Sequence, residues 1–151
     1  MKELTATRET SATPAQVWKV MTDIEGAADT ISGIEKVERL DGGTDFGVGT
    51  RWRETRTLFG KTSTEEMEVT EVDPGRSYVT EARSHGAFYR SLIEVEPSES
   101  GGSRLTWVFG AEPEGMVAKI MAATIGRFFE GATRKAIEQD LVDISKAAGG
   151  E

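Results

Sequence analysis

Two neighbouring predicted strands carry charged side chains that could bind a ligand or transfer a proton. If residues 51–59 form a strand, alternation places Trp52, Glu54 and Arg56 on one face. On the next strand, Glu65 and Met67 share a face in the same way. An arginine can anchor a ligand carboxylate or phosphate through paired hydrogen bonds, and a glutamate can do acid–base work. The competing interpretation, a strand end where water reaches the charges, is favoured because buried charge is rare.

The last two predicted strands add hydroxyl and aromatic side chains. Tyr89 and Ser91 share a face of the sixth strand, and Trp107 and Phe109 share one of the seventh. A hydroxyl on an apolar wall needs a hydrogen-bond partner, so Tyr89 and Ser91 are candidate ligand contacts, although a bond to backbone or water is commoner. Trp107 and Phe109 fit either a packed core or a cavity wall, because a cavity wall is a core face without its filling.

The remaining chemistry-bearing residues match no standard catalytic centre. His85, the only histidine, stands beside Gly86 in a predicted turn, so we expect an exposed loop residue rather than a general base. One histidine and no cysteine leave no metal-ligand spacing. The glycine-rich segment 41–49 lacks the Gly-Lys-Ser/Thr of a phosphate-binding loop. We therefore expect no metal site and no cofactor.

A long C-terminal helix is predicted over residues 114–146. Its apolar residues form two stripes that do not line up, one around residues 117–128 and one around residues 133–144. We expect the second half to seal a core and the first half to roof a cavity. The candidate roof residues are Met116, Ile120, Met121 and Phe128, and the alternative is ordinary helix core. Methionine thioethers would suit a roof that repacks around varied ligands.

The rest of the chain predicts strands and two short helices. A first strand covers residues 2–12, Thr13 caps a helix that begins at Pro14 and ends near Asp23, and a second helix covers residues 25–30. Six strands follow, at residues 34–40, 51–59, 61–72, 77–84, 87–96 and 104–111. Because strands and helices do not alternate, we predict an α+β fold with an antiparallel sheet.

Composition limits the partners and the location. At 151 residues, without a linker or repeat, the chain is predicted to be one domain. Its formal charge of −8 would repel a nucleic-acid backbone, so we expect no nucleic-acid partner. No stretch approaches the ~20 apolar residues of an integral membrane segment, and no signal peptide is visible. The absence of cysteine fits a reducing cytosol, and we expect a cytoplasmic protein.

Seven short segments, in order, resemble the SRPBCC superfamily, which includes START-like, polyketide cyclase-like and pollen-allergen-like proteins. They cover nearly the whole chain, at residues 12–18, 23–25, 34–38, 48–52, 69–75, 102–107 and 140–144. The resemblance implies one START-like domain over residues 1–151 with a helix-grip fold. In that fold a strongly curved seven-stranded antiparallel sheet wraps the C-terminal helix and encloses an apolar pocket. The family has no shared catalytic residue set to carry over.

Three functions from different classes follow. The first is binding of a small hydrophobic or amphipathic molecule, lipid or polyketide-like, in a cavity between the sheet and the C-terminal helix. The second is a polyketide cyclase or aromatase that holds a poly-ketone chain in a folded pose, with Tyr89, Arg56 or Glu54 as polar groups. The third is a protein-interaction domain resembling Hsp90-activator relatives. The resemblance is also compatible with a homodimer, although no residue in this sequence specifically indicates one.

Overall fold

The computed structural model confirms the predicted α+β fold class and the predicted order of elements. It describes residues 1–58 and 60–150, with side chains described for residues 1–57, 60–123 and 130–150. Predicted boundaries fall within two residues of the observed ones, and the predicted strand end at Phe59 lies outside the described residues. The helices are α1 (Pro14–Thr22), α2 (Ala27–Thr30) and α3 (Met116–Ala147). The strands are β1 (Lys2–Thr10), β2 (Ile34–Arg39), β3 (Arg51–Leu58), β4 (Lys61–Asp73), β5 (Ser77–Ser84), β6 (Ala87–Pro97) and β7 (Ser103–Pro113).

The seven strands form one antiparallel sheet in the order β1-β7-β6-β5-β4-β3-β2. Strands β2 to β7 are joined as successive hairpins, and β1 adds to the far side of β7. The tightest connection is between β5 and β6, where Ser84 pairs with Ala87 and only His85 and Gly86 lie between them. Both have positive φ, 51° and 77°, as a type I′ turn requires. Helix α3 begins beside this turn, where the Glu114 backbone N–H donates to the Gly86 carbonyl.

Helix α1 forms where its capping residues predict. The Gln16 backbone N–H donates to Thr13 Oγ1 at 3.3 Å, and the Thr13 backbone N–H donates to Gln16 Oε1 at 2.9 Å. This reciprocal capping box, with Pro14 in the first turn, fixes where the helix begins. Val17 and Met21 then point into the core, with 0% and 5% of their surface exposed.

The core lies between the sheet and the second half of α3. Ile137, Leu141 and Ile144 are at most 5% exposed and pack with the buried residues of β1, β6 and β7. The same end of the helix is tied to β1, because Ser145 Oγ donates to Thr10 Oγ1 at 2.7 Å. The second half of the helix therefore seals the core, as its apolar stripe predicts.

Two valines in helices give a matched test of this core. Val17→Ala removes a fully buried side chain and should lower the free energy of unfolding by about 2 kcal/mol, through lost burial and a residual cavity. Val117→Ala makes the same chemical change at a position that is 72% exposed. It should change stability by less than about 0.5 kcal/mol. Urea denaturation of both variants checks the difference, and equal losses would contradict the placement of α1 in the core.

Candidate functional site

One face of the sheet, directed toward α3, carries all nine strand residues that the sequence predicts for a pocket. Directly paired residues of antiparallel strands share a face. Trp52 pairs with Met67, and Glu54 pairs with Glu65. On the other side of the sheet, Ser91 pairs with Phe109. Thr80 of β5 joins the two groups, because it pairs with Val69 of β4 and with Ser91 of β6. We call this surface the inner face; its predicted members are Trp52, Glu54, Arg56, Glu65, Met67, Tyr89, Ser91, Trp107 and Phe109.

The guanidinium of Arg56 is held by two carboxylates of the protein. Its Nε donates to Glu54 Oε2 at 2.7 Å, and its Nη1 and Nη2 donate to Asp140 Oδ1 and Oδ2 at 3.2 and 2.7 Å. The other oxygen of Glu54 accepts from the indole Nε1 of Trp52 at 2.9 Å. Paired hydrogen bonds between arginine and carboxylate fix geometry as well as charge. Arg56 is therefore already engaged on two sides.

This group is a buried ion cluster. The side chains of Asp140 and Glu54 are 4% and 8% exposed, and that of Arg56 is 27% exposed. Burial lowers the pKa of Arg56, but the charges of Asp140 and Glu54 outweigh it, so the pKa rises above its ordinary value. Burial also raises the pKa of Asp140, against the attraction of Arg56. The arrangement favours a structural link between β3 and α3 over a free anchor for an acidic ligand.

Asp140 is the member of this cluster that the sequence prediction missed. It follows Ile137 by three residues and precedes Leu141, so it lies on the buried side of α3. A carboxylate in an apolar helical stripe needs a cationic partner, and that signal was present in the sequence. Gly33 leaves room for the pair, because a Cβ there would lie 3.3 Å from Arg56 Nη1.

Glu65 lies on the same face but does not join the ion cluster. It is half-buried and makes no hydrogen bond or ion pair within the described part of the chain. Burial and the nearby charge of Glu54 raise the pKa of Glu65, and the charges of His85 and Arg56 oppose that rise only in part. His85 itself is exposed in the β5–β6 turn, as predicted from its position beside Gly86. Glu65 is thus an unpaired carboxyl group on the inner face.

Aromatic side chains line the face beside Glu65. Tyr89 stacks on Phe109, with ring centroids 5.7 Å apart and an interplanar angle of 28°. Burial and the charge of Glu65 raise the pKa of Tyr89. The indole N–H of Trp107 is buried and has no acceptor among the described residues. Met67, Tyr89, Trp107 and Phe109 all stay partly exposed, unlike the neighbouring core residues.

Two hydroxyl residues lie at the centre of the inner face. Thr80 and Ser91 are 8% and 9% exposed and pair directly across β5 and β6. Neither hydroxyl has a hydrogen-bond partner in the described part of the structure. Because neither hydroxyl is bonded within the protein, both can bond to water or to an additional polar group. The sequence prediction included Ser91 but not Thr80, because the inward face of β5 could not be assigned from its pattern.

The first half of α3 does not close over this face as predicted. Met116, Ile120 and Met121 are 76%, 62% and 57% exposed, so the expectation that they roof a cavity is corrected. For Met116 and Ile120 the reason is rotational: Ala118 faces the sheet, 3.3 Å from where a Cβ on Gly86 would be, and these two residues lie about 160–200° away around the helix. Met121 lies only about 60° from Ala118 and is exposed because this part of the helix does not pack onto the sheet. The fourth candidate, Phe128, lies outside the residues with described side chains.

Two open pockets lined by described residues lie away from the predicted site residues. One, of about 630 Å³, is a polar groove between β1 and the second half of α3, lined by residues that include Thr5, Thr7, Arg134 and Glu138. The other, of about 340 Å³, is formed by the loop 41–50 between β2 and β3. Neither contains a predicted site residue.

Within the described residues, no group of three or more His, Cys, Asp or Glu side chains is placed to hold a metal ion. Of the described helices, none has the combination of length and apolar character that crossing a bilayer requires.

The ion cluster predicts a strong effect of one isosteric change. Asp140→Asn leaves a buried guanidinium without its bidentate partner and should lower the free energy of unfolding by about 3 kcal/mol. Asp143→Asn is the control: its carboxylate accepts from the Ser32 backbone N–H and hydroxyl at a more exposed position and should cost about 1 kcal/mol. Joint replacement of the whole cluster, Glu54 by Leu, Arg56 by Met and Asp140 by Leu, should recover most of the loss. Urea denaturation measures all of these variants, and no recovery in the triple variant would contradict this account.

Glu65 predicts a pH-dependent effect. Its ordinary pKa is 4.5 and its folded-state pKa is higher, so the folded protein holds this proton more tightly than the unfolded chain. The contribution of Glu65 to stability therefore falls as the pH rises from 4.5 through the raised folded-state value. Glu65→Gln should be more stable than the parent at neutral pH, and the gain should vanish below about pH 4. Urea denaturation across this range checks it, with the exposed Glu66→Gln as a control within about 0.5 kcal/mol. A gain independent of pH would contradict the assignment.

Comparisons with solved structures identify the same architecture. A protein of Thermus thermophilus is 19% identical, covers 97% of each chain and gives a TM-score of 0.81. The ZhuI aromatase/cyclase of a Streptomyces species is 17% identical, with 98% and 93% of the chains covered and a TM-score of 0.79. A major latex-like protein of Panax ginseng is 12% identical over 96% and 95%, with a TM-score of 0.75. At these identities the likeness establishes the helix-grip fold alone.

Sequence comparison gives the family. None of the curated proteins matches the chain. The family described as "Polyketide cyclase / dehydrase and lipid transport" matches residues 1–143, nearly the full length, in agreement with the predicted SRPBCC resemblance. The chain therefore belongs to the polyketide cyclase/dehydrase and lipid transport family.

Proposed function

We propose that this protein binds a small hydrophobic or amphipathic molecule, lipid or polyketide-like, between the inner face of the sheet and the first half of α3. The family supports a hydrophobic ligand-binding or cyclase role. The specific support comes from how differently the two halves of the helix meet the sheet.

The observation that carries the proposal is an incompletely covered apolar surface. In the second half of α3, Ile137 and Leu141 are buried against the sheet. In the first half, Ala118 faces the sheet, yet Ala122, one turn later on the same side, is exposed. Opposite this segment the inner-face aromatics are also only partly covered. An apolar face with a few polar groups, beneath an element that does not pack onto it, is the usual form of a small-molecule site.

The two points that hold α3 explain this incomplete contact. The Glu114 backbone N–H donates to the Gly86 carbonyl at 2.7 Å, and Ala118 rests on the same turn. Among the residues of α3 with described side chains, the next buried one is Ile137, about 28 Å further along the helix axis. A helix held at both ends can span a concave sheet without filling the space beneath it.

A second candidate function is a cyclase that uses the same surface. It is favoured by Glu65, because an unpaired, half-buried carboxyl group beside the hydroxyl of Tyr89 can accept a proton from a bound poly-ketone and stabilise the folded pose. Arg56 and Glu54 are less suited to this role because they are bonded to one another and to Asp140. Turnover of a poly-ketone that is lost in Glu65→Gln, with ligand affinity retained, would favour the enzyme over the carrier.

Binding is tested with N-phenyl-1-naphthylamine, a neutral probe that fluoresces in apolar surroundings. Phe109→Ala removes part of the proposed wall and should weaken probe binding by about ten-fold or more, or about 1.4 kcal/mol. Phe88→Ala is the matched control, because Phe88 lies on the opposite face of β6 beneath the guanidinium of Arg83. It should change affinity by less than about two-fold.

Thermal unfolding provides an independent measurement of binding. A ligand at 100 times its dissociation constant should add about 2.7 kcal/mol to the free energy of unfolding. Equal effects of the two phenylalanine substitutions would contradict the proposed location. No binding of the probe, of fatty acyl chains or of aromatic polyketides would contradict the proposed function and favour a protein-interaction domain.

A further inference from the structure

The inner face contains cations, but each is either paired with a carboxylate or distant from Glu65 and Tyr89. Arg56 is bonded to Glu54 and Asp140. Lys2, at the same end of the sheet as Tyr89, pairs with Glu130 at 3.2 Å. Arg8 of β1 pairs in register with Leu105 of β7, whereas Tyr89 of β6 pairs with Ala111 of β7. Leu105 and Ala111 are six residues apart, so Arg8 lies about 20 Å from Tyr89 along the strand direction.

One exposed cation remains on the inner side of β4. Lys61 precedes Glu65 by four residues and lies about 13 Å from it along the strand. At that separation, with its ammonium in water, it is largely screened from Glu65. The cations on this face are therefore paired or distant, within the described part of the chain.

Among the described residues, the inner-face polar groups without a hydrogen-bond partner are a carboxyl, hydroxyls and the indole N–H of Trp107. Glu65 makes no hydrogen bond or ion pair among the described residues, and Thr80 and Ser91, which are 8% and 9% exposed as whole residues, make no hydrogen bond through their hydroxyls there. Tyr89 adds a fourth oxygen beside Glu65. A carboxylate can only accept hydrogen bonds, whereas hydroxyl groups donate or accept. Within its described residues, the inner face around Glu65 therefore offers acceptors and negative charge, and the neutral indole N–H of Trp107 cannot balance a second anion.

We propose, on the basis of the proposed binding function, that the ligand carries a neutral or cationic hydrogen-bond donor, such as an alcohol, phenol or amine, that binds Glu65, and that carboxylates are disfavoured. This reverses the sequence-based hypothesis that Arg56 anchors an acidic ligand. An anionic head group would meet the charges of Glu65 and Glu54 in a partly desolvated site, where like charges repel more strongly than in water.

The test uses three compounds with the same twelve-carbon chain. Dodecanol, dodecylamine and dodecanoic acid compete with N-phenyl-1-naphthylamine for the full chain at pH 7.5, below their aggregation limits. The acid should bind at least about ten-fold more weakly than the alcohol, and the amine should bind at least as tightly as the alcohol. Glu65→Gln should reduce the difference between acid and alcohol to within about three-fold and should weaken amine binding.

Glu66→Gln is the matched control, because it neutralises the adjacent carboxylate on the opposite face, where it pairs with Arg53 at 2.7 Å. It should leave the order of the three compounds unchanged. Tight binding of dodecanoic acid, or a selectivity that Glu65→Gln does not change, would overturn this inference while leaving the binding function intact. Failure of the probe and of all three compounds to bind would overturn both.

Discussion

The bidentate pair between Arg56 and Asp140 constrains the whole fold, because it joins β3 to the same helix that β1 holds. Strands β1 and β3 are five inter-strand spacings apart in the sheet, about 24 Å if the sheet were flat. Their contacts on α3, at Ser145 and Asp140, are only about 7.5 Å apart along the helix axis. Both contacts can form only if the sheet curls around the helix. The helix grip is thus closed by hydrogen bonds at two separated strands as well as by apolar packing.

Curvature of this kind separates two environments along one helix. Near the two contacts the concave surface is narrow, and Leu141, Ile144 and Leu105 fill it to nearly zero exposure. Toward the β5–β6 turn the same surface still carries apolar side chains, but α3 meets it through Ala118 alone among residues 116–123. Burial at one end provides stability, and incomplete burial at the other leaves the apolar surface on which ligand binding is proposed.

Local signals predicted the elements well because each was encoded by neighbouring residues. The capping box at Thr13 and Gln16, the turn glycines and the alternation in β3 and β4 all act over a few positions. The alternation also assigned Trp52, Glu54 and Glu65 correctly to one face. What the sequence could not give were pairings at long range: Asp140 is 84 residues from Arg56, and the inward position of Thr80 depends on the register of β5.

The rotation of α3 about its own axis also could not be predicted from the local sequence pattern. Helical spacing identifies which residues share a stripe but not which stripe faces the sheet. For Met116 and Ile120 the deciding contact is the close approach of Ala118 to Gly86, and only the folded chain contains it. From the sequence alone, the exposed Met116 and Ile120 therefore cannot be distinguished from buried residues that cover a cavity.

Gly33 has a consequence for how such sequences can diverge. It lies just before β2, and any larger residue would bring a carbon within 3.3 Å of the Arg56 guanidinium and 3.9 Å of the Asp140 carboxylate. A side chain at position 33 would therefore require the guanidinium to shift by a few tenths of an ångström, which would disturb its bidentate geometry with Asp140. If the ion pair were replaced by smaller apolar side chains, the same position would have room for a larger residue.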